Sequence, residues 1–465
     1  MFKFISEKMI HIVAASAFSL VIAATTTSNT AHAWTLEEAA KPYAGTELRG
    51  ICDGYAPCLA YIELAKKFQE LTDIKINLEV ADLEAIQTQF LTDVITEGEY
   101  YDFVEVISFS SGVFPAQGFV HPYSDFTENA ELRDPSVDMP NDVVPALFKL
   151  SSQYEGVQYS VPTKYVLPYM VYRHDLVTEE EQTNFKAKFG YDMPLPPTEW
   201  QQVRDMSEFY TRKKGETLAG KVLERNFYGT VVPFKRHLTV LYDFERVLLG
   251  MGGAYVNEDG TVAIDQGDVA VQALEFMLSL REYSIPGYME ATWDEQYAEM
   301  CNGSVFTIFT WGDTTPFLEI PADCASSAGN MTYYVHPGTH LTPAEGQGWF
   351  IPKSAKNAEA AFLFIQWLQT KEIQVESMPM GGNPSRSDVI RMAEWQADDW
   401  PNRQREQLEI WLEDNNLLYS RPNPPHWLAW NEIIKEELSA AGAGNQDAAT
   451  TIQNIAARMR EAAGE

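Results

Sequence analysis

The feature that most constrains the fold is an alternation of strand and helix patterns that begins near residue 48. The apolar spacing predicts strands over 48–51, 74–80 and 103–107 and amphipathic helices over 59–71 and 83–94. Strands that are joined through a helix run parallel with a right-handed crossover. This part of the chain therefore predicts an α/β fold with a parallel sheet covered on both faces.

Polar and aromatic residues follow two of these strands directly. Asp53 and Tyr55 come after the first strand, and Phe109 and Ser110 come after the third. Ligands of open α/β sheets bind beyond the carboxyl ends of the strands. We therefore expect these four residues to lie together at one edge of the sheet.

The composition describes a large, acidic, folded protein. The 465 residues include 66 acidic residues against 34 Lys and Arg, which gives a formal net charge of −32, and 45% of the residues are hydrophobic. A chain of this length divides into two or three units of ~150 residues. Such a negative surface repels phosphate backbones, so no nucleic acid partner is expected.

The N-terminus has the pattern of a cleavable signal peptide. Lys3 and Lys8 precede an apolar run over 10–24, and Ala31-His32-Ala33 offers a cleavage site before Trp34. The run is too short to span a bilayer, and no cysteine follows it that could carry a lipid anchor. Residues 1–33 are therefore predicted to be removed on export to the periplasm.

All four cysteines lie in the exported part of the chain. In an oxidising compartment this predicts two disulfides. Three pairings are possible, and the local pairing of Cys52 with Cys58 and of Cys301 with Cys324 is the simplest. Neither spacing fits a zinc site, and no histidine stands nearby in the sequence, so no metal is expected.

The specific enzyme motifs are missing from the sequence. It has no phosphate-binding loop, dinucleotide fingerprint, nucleophile elbow or zinc-protease helix, so neither an enzymatic activity nor a cofactor is predicted. A glycosidase needs only two carboxylates, which 66 acidic residues neither support nor exclude. Trp311 and Trp349 stand near turns, where each could contact a polyhydroxylated ligand or pack in a core.

Three weaker patterns lie further along the chain. Thr198 is expected to cap a helix that carries Val203 and Phe209, and residues 271–278 predict one face of another helix. The Ala- and Gly-rich stretch 440–444 predicts a loop before a last helix over 448–463.

Several segments together resemble the extracellular solute-binding proteins that serve carbohydrate ABC importers. Asp73 replaces the usual glycine of the first segment, and Glu199 is an extra residue before Trp200. The segments keep the family's order across more than 300 residues, and they are Phe68–Ile76, Gly98–Val104, Gln117–Pro122, Tyr154–Pro162, Tyr169–Leu176, Pro197–Trp200, Cys301–Trp311, Gly346–Pro352, Ala360–Leu368 and Gly381–Arg386.

The resemblance implies a two-lobed periplasmic-binding-protein fold, in which each lobe holds a mostly parallel sheet flanked by helices. Hinge crossings would fall near Thr163–Lys164, Tyr334–His336 and Thr370–Glu372. The first lobe would then contain residues 34–163 and 337–371, and the second lobe would contain residues 164–336 and 372–465.

The resemblance also implies a ligand cleft between the lobes. Trp311 occupies the position whose ring stacks on a sugar in the family. By matching position the cleft would be formed by Asp53, Tyr55, Phe109, Ser110, Lys164, Tyr165, Trp311, Asp313, Trp349 and Arg386.

The function implied is that of a monomeric periplasmic receptor. It would capture a carbohydrate or polyol and deliver it to the membrane permease subunits of an ABC transporter. One alternative is an anionic ligand, such as a glycerol phosphate or a sulfonated sugar, held by Lys164, Arg386 or the basic cluster at 235–237. Another is a secreted glycan-binding or glycan-hydrolysing protein.

Overall fold

The computed structural model describes residues 34–343, 345–390, 392 and 417–465. The predicted signal peptide, residues 1–33, lies outside the described residues. Within them, no helix combines the length and the apolar character that a membrane crossing requires. The same part of the chain contains no group of three or more His, Cys, Asp or Glu side chains placed to hold a metal ion.

The strands and helices alternate through most of the chain. The strands are β1 (Glu47–Asp53), β2 (Lys75–Ala81), β3 (Phe103–Ile107), β4 (Gln153–Tyr154), β5 (Val157–Gln158), β6 (Ser160–Pro162), β7 (Pro168–Arg173), β8 (Thr217–Leu218), β9 (Lys221–Val222), β10 (Tyr228–Thr230), β11 (Val305–Trp311), β12 (Met331–Tyr334), β13 (Thr342–Pro343), β14 (Gln347–Phe350) and β15 (Leu418–Tyr419). The helices are α1 (Leu36–Ala40), α2 (Ala56–Thr72), α3 (Leu83–Ile95), α4 (Val113–Ala116), α5 (Ser124–Thr127), α6 (Met139–Asp142), α7 (Pro145–Ser152), α8 (Glu179–Phe189), α9 (Trp200–Tyr210), α10 (Leu238–Gly250), α11 (Val269–Ser279), α12 (Trp293–Cys301), α13 (Thr315–Leu318), α14 (Ala358–Leu368), α15 (Lys371–Ser377), α16 (Ser387–Ile390), α17 (Trp427–Gly442) and α18 (Ala448–Ala463).

The first sheet has five strands in the order β2-β1-β3-β14-β6. Strand β1 pairs in parallel with β2 and with β3, which confirms the strand-helix alternation predicted for residues 48–107. Strand β14 is antiparallel to both of its neighbours, β3 and β6, so four of the five strands share one direction. This sheet and the helices packed on it form the first lobe.

Helices α2 and α3 cover opposite faces of the first sheet. Phe68 of α2 packs against Phe364 of α14 with ring centroids 5.0 Å apart, whereas Phe90 of α3 packs against Phe114 at 4.5 Å. Helix α3 begins where the side chain of Asp82 accepts a hydrogen bond from the N–H of Ala85. Burial of the apolar faces of α2 and α3 fixes the orientation of the first sheet, and with it the position of the carboxyl ends of its strands.

The second sheet has four strands in the order β10-β11-β7-β12. Strands β10 and β11 are parallel, and β7 is antiparallel to both β11 and β12. Three of the four strands therefore share one direction. Every residue of β11 is buried, which places the end of this strand deep in the molecule. This sheet and its helices form the second lobe.

The chain crosses between the two sheets twice before residue 350. It leaves the first sheet at β6 and enters the second at β7, across the predicted crossing at Thr163–Lys164. It leaves the second sheet at β12 and returns to the first at β14, and the predicted crossing at Tyr334–His336 lies at the start of this connection.

The third predicted crossing, at Thr370–Glu372, is corrected by the packing of α15. Helix α15 lies against α2 of the first lobe, and Lys67 of α2 forms an ion pair with Glu376 of α15. The chain therefore stays with the first lobe beyond residue 371, because the apolar face of α15 is buried there. Helices α17 and α18 pack instead on α10 and α11 of the second lobe.

Two local predictions are also corrected, and two are confirmed. Helix α9 begins at Trp200 with Glu199 as its N-cap, one residue after Thr198, because Gln202 forms a capping box with Glu199. Helix α17 continues through Gly442, so the loop predicted at 440–444 lies instead at 443–447. Helix α11 contains the predicted segment 271–278, and α18 has the predicted bounds.

Candidate functional site

A cavity lies between the two lobes. Both sheets contribute strand ends to it, as expected of open α/β sheets. Four of the ten predicted cleft residues line it, namely Asp53, Tyr55, Trp311 and Asp313. The other lining residues are Leu83, Ile107, Val166, Tyr242, Trp293, Tyr297, Thr314, Glu345, Gly346 and Gln347.

The wall from the first lobe begins at the carboxyl end of β1. Asp53 is the last residue of this strand, and its backbone N–H donates a hydrogen bond of 2.7 Å to Glu105 Oε2 of the neighbouring β3. Tyr55 is the N-cap residue of α2. A sharp strand-to-helix connection therefore places a carboxylate and a phenol side by side at the cavity.

Lys164 joins the two walls of the cavity. Its Nζ lies 2.9 Å from Asp313 Oδ2 of the second lobe and 3.4 Å from Asp53 Oδ2 of the first. The same Nζ lies 5.9 Å from the centroid of the Tyr55 ring. Lys164 stands on the first crossing between the lobes, so a single ammonium contacts both lobes next to the cavity.

Burial changes the acidity of this group of charges. Desolvation raises the pKa of Asp53 to about 7, with Glu105 and Asp313 adding to the shift and Lys164 opposing it. Burial alone would lower the pKa of Lys164, but the carboxylates of Asp313 and Asp53 raise it above its usual value. The ammonium is therefore charged at neutral pH, and Asp53 can exchange a proton near it.

Aromatic rings form the wall from the second lobe. Trp311 ends β11 and meets Tyr242 of α10 edge to face, with ring centroids 5.1 Å apart. Trp293, the first residue of α12, lies 6.5 Å from Trp311, also edge to face. The guanidinium of Arg246 lies 4.8 Å from the Trp311 ring and orients it from behind.

Four buried polar atoms of the lining residues have no hydrogen-bond partner within the described part of the chain. They are the indole nitrogens of Trp293 and Trp311, the hydroxyl oxygen of Tyr297 and the amide oxygen of Gln347. An unsatisfied buried polar group costs about 1–3 kcal/mol. Two N–H donors, one acceptor and one hydroxyl that can donate or accept are therefore available to a ligand that carries hydroxyl groups.

A buried ion-pair network stands beside the cavity at Glu345. Arg421 donates to both oxygens of Glu245, at 2.7 Å each, and also contacts Glu345. Ser108 at the end of β3 donates to Glu345 as well. Residues of the first lobe, α10 and the C-terminal segment therefore meet at this point.

Phe109, Ser110 and Tyr165 do not line the cavity, although they were predicted to face the ligand. The Phe109 ring packs on Tyr242, at 4.8 Å, and under the guanidinium of Arg421, at 3.6 Å. The Ser110 hydroxyl donates to Gln87 at 2.6 Å. The Tyr165 ring lies in a hydrophobic cluster of the second lobe. Of the three, Phe109 supports a cavity wall, because its ring packs on the lining residue Tyr242.

Trp349 is corrected from a cleft residue to a core residue. Its side chain is fully buried in the first lobe, where it meets Phe103 and Tyr61 edge to face at 5.2 and 5.9 Å. Gln347, two residues earlier on the same strand, lines the cavity. Gln347 is the first residue of β14 and borders the cavity, whereas Trp349 lies two residues further along this strand. The Trp349 ring therefore packs in the core with residues of α2 and α14.

Arg386 is also corrected, because its guanidinium is engaged elsewhere. Its Nη1 donates to Asp142 at 2.8 Å and its Nε donates to Asp388 at 3.0 Å. The residue forms a bridge with Val143, so it links two segments of the chain outside the cavity.

Tyr242, Trp293 and Tyr297 are the aromatic residues that sequence reasoning missed. All three belong to helices, and their apolar spacing resembles that of ordinary core residues. Trp293 had one available signal, because Thr292 and Glu295 form a capping box that marks the start of α12 next to it.

Two α/β lobes that enclose a polar and aromatic cavity at their strand ends define a ligand-capturing binding protein. The chain matches the family model of bacterial extracellular solute-binding proteins over residues 63–402 and belongs to that family. The members of this family are binding proteins rather than enzymes. No curated protein sequence matches this chain.

Solved structures share the fold over most of the chain. A solute-binding protein of an ABC transporter from Agrobacterium radiobacter K84, in complex with ribitol, aligns with a TM-score of 0.74 at 20% identity over 90% of this chain and 100% of its own. A counterpart from Thermotoga lettingae TMO, bound with α-D-tagatose, gives 0.74 at 18% identity over 90% and 99%. UgpB from Mycobacterium tuberculosis, in complex with glycerophosphocholine, gives 0.67 at 18% identity over 89% and 98%.

Proposed function

We propose that this protein is the exported substrate-binding component of an ABC importer, and that it captures a carbohydrate or polyol in the cavity between its lobes. The observation that carries the proposal is the pairing of aromatic faces with unpartnered polar atoms in that cavity. Residues 1–33 act as its signal peptide, and the mature protein works as a periplasmic monomer that docks on membrane permease subunits.

The lining suits a polyhydroxylated ligand. Sugars and polyols present C–H surfaces that pack on aromatic rings and hydroxyl groups that both donate and accept hydrogen bonds. Trp311 and Trp293 offer ring faces and N–H donors, and Gln347 and Asp313 offer acceptors.

The charge of the cavity argues against an anionic ligand. Asp53, Glu105 and Asp313 are three buried acids that surround one buried base, Lys164. An added anion would lie in a site where carboxylates outnumber ammonium groups. Arg386, another of the predicted counter-charges, is bound to Asp142 and Asp388 away from the cavity.

Capture requires that the ligand favour the closed arrangement of the lobes. Lys164 already connects Asp53 of the first lobe to Asp313 of the second. A ligand that satisfies Trp293, Trp311 and Gln347 contacts both lobes and shifts the equilibrium towards closure. Binding followed by delivery requires no bond to be broken, so the proposed role is not enzymatic.

Isothermal titration of the mature chain with ribitol, D-tagatose, glycerol 3-phosphate and glycerophosphocholine tests the proposal, with small-angle scattering as a measure of closure. Binding and closure with a neutral polyol or sugar is the expected result. The affinity for a neutral ligand should change little with salt concentration, because such a ligand brings no net charge into the cavity. Binding of glycerol 3-phosphate alone, weakened by salt, would establish the anionic alternative instead.

Mass spectrometry of the compound released from purified, denatured protein extends the test beyond this panel. A released sugar or polyol is the expected finding. Release of a phosphate or sulfonate would contradict the neutral ligand. Turnover of a glycan by the purified protein would favour the hydrolase alternative, and glycan binding without closure would favour a lectin.

A further inference from the structure

We propose that the Cys52–Cys58 disulfide is a positioning element of the ligand site, and that breaking it weakens ligand binding. This inference rests on the proposed function, since it concerns the affinity of the same cavity. The disulfide encloses two first-lobe residues that line the cavity, Asp53 at the end of β1 and Tyr55 at the start of α2.

The disulfide ties the end of a strand to the first turn of a helix. Cys52 is the next-to-last residue of β1, and Cys58 is the third residue of α2. Their Cα atoms lie 5.9 Å apart, and both side chains are buried. The segment 53–57 is therefore closed into a small ring.

The start of α2 lacks a side-chain cap. Its N-cap residue, Tyr55, makes no side-chain capping hydrogen bond. Helix starts are usually fixed by a Ser, Thr, Asp or Asn cap. A cross-link at the third helical residue takes the place of that cap and fixes where Tyr55 leaves the strand end.

Few backbone contacts hold the enclosed segment from outside. The N–H of Asp53 donates to Glu105, and the N–H of Gly54 donates to Ala81 O at 3.1 Å. The N–H of Tyr55 bonds within the segment, to Asp53 O at 2.7 Å. Gly54 itself is exposed. Without the disulfide, the side chain of Cys58 no longer ties the start of α2 to β1, while the hydrogen bond from the N–H of Tyr55 to Asp53 O remains.

The second disulfide is a matched control within the same chain. Cys301 and Cys324 are 23 residues apart at the far end of α12, in a hydrophobic cluster of the second lobe. Neither lines the cavity. The cavity end of α12, at Trp293, is held by its own capping box, so loss of this disulfide leaves the lining in place.

The double variants Cys52→Ala/Cys58→Ala and Cys301→Ala/Cys324→Ala are compared with the wild type by titration with ribitol and D-tagatose. The first variant is expected to lose about tenfold or more in affinity, because the ligand must now order the segment that the disulfide had pre-organised. The control is expected to stay within about threefold of the wild type. Equal affinities in all three proteins would overturn the inference.

A cycle of reduction and reoxidation distinguishes an effect of the disulfide on the ligand site from a general loss of folded structure. The Cys301→Ala/Cys324→Ala protein retains only Cys52–Cys58, so reduction with dithiothreitol and reoxidation act on that bond alone. Affinity is expected to fall on reduction and to return on reoxidation, with unchanged far-ultraviolet circular dichroism. The same ligand affinity in the reduced and the oxidised protein would contradict the proposal.

Amide hydrogen exchange in the absence of ligand independently measures how firmly the disulfide holds the segment 53–57. The amides of Gly54 and Tyr55 are expected to exchange faster in Cys52→Ala/Cys58→Ala and to keep the wild-type rate in the control. Unchanged rates in both variants would overturn the inference. If the wild type binds none of the tested ligands and releases no sugar or polyol on denaturation, the proposed function is contradicted, while the exchange rates still decide whether the disulfide positions the segment.

Discussion

The ammonium of Lys164 lies 2.9 Å from the carboxylate of Asp313, inside the interface between the two lobes. The Lys164 side chain is only 1% exposed, and Asp53 of the opposite lobe lies 3.4 Å away. Water therefore does not compensate for loss of the ammonium. The ion pair contributes both to the stability of the fold and to the closed arrangement of the cavity.

Replacing Lys164 with Met leaves two buried carboxylates without their counter-charge. We expect Lys164→Met to lower the free energy of unfolding by about 3–5 kcal/mol, the usual cost of breaking a buried pair. Urea denaturation measures this change. Lys66→Met is the control, because Lys66 forms an exposed pair with Glu63 and its loss should cost less than about 1 kcal/mol. Equal losses in the two variants would refute the assignment.

The two tryptophans that follow similar sequence patterns should respond differently to substitution. Trp311→Leu removes a ring and an N–H from the cavity wall, so we expect it to weaken ribitol or D-tagatose binding at least tenfold. Trp349→Leu removes a core ring of the first lobe, so we expect it to lower stability by about 3 kcal/mol with little change in affinity. Titration calorimetry and thermal unfolding of both variants separate these effects, and the reverse pattern would show that Trp349 binds the ligand.

Asp53 should make stability depend on pH. Burial raises its pKa to about 7 in the folded protein, against about 3.9 in an unfolded chain. Between these values the folded state binds more protons, so the contribution of Asp53 to stability falls as the pH rises. We expect the stability of the wild type relative to Asp53→Asn to fall between pH 4 and 7, by on the order of 1.4 kcal/mol per unit of pKa difference.

Urea unfolding at several pH values checks this prediction. Asp192→Asn is the matched control, because Asp192 is 84% exposed beside Lys186. Its profile should run parallel to that of the wild type. A parallel profile for Asp53→Asn as well would mean that Asp53 does not change its protonation on unfolding in this range.

The two disulfides should contribute to stability according to the loops that they close. In the chain-entropy model, a separation of 6 residues between Cys52 and Cys58 predicts roughly 2 kcal/mol, and a separation of 23 between Cys301 and Cys324 predicts roughly 3 kcal/mol. Thermal unfolding of the two Cys→Ala double variants measures both. We expect the larger loss of stability in Cys301→Ala/Cys324→Ala and the larger loss of ligand affinity in Cys52→Ala/Cys58→Ala. This combination would separate the effect of a disulfide on stability from its effect on the ligand site. A larger stability loss in the first would contradict the loop-length dependence.

Much of the first lobe was predictable because its signals are local. Apolar residues at periods of two and of 3.6 gave the three strands and two helices between 48 and 107, and the strand ends gave Asp53 and Tyr55. The strand and helix signals depend on residues that are neighbours in sequence. The local pairing of the cysteines was the simplest of three possibilities and is the pairing present in the structure, and Trp311 and Asp313 were predicted from the resemblance to the solute-binding family.

The sequence by itself determined the element order of residues 48–107, the α/β class and part of the strand-end lining, and it left three disulfide pairings open. Only the tertiary structure decided that Trp349 packs in a core while Tyr242, Trp293 and Gln347 face the cavity. It also decided that Lys164 joins the two lobes and that α15 stays with the first lobe. The physical reason is that the same aromatic residue in a strand or helix can either pack in a core or line a cavity. Which of the two occurs depends on the segment, distant in sequence, that lies opposite the ring.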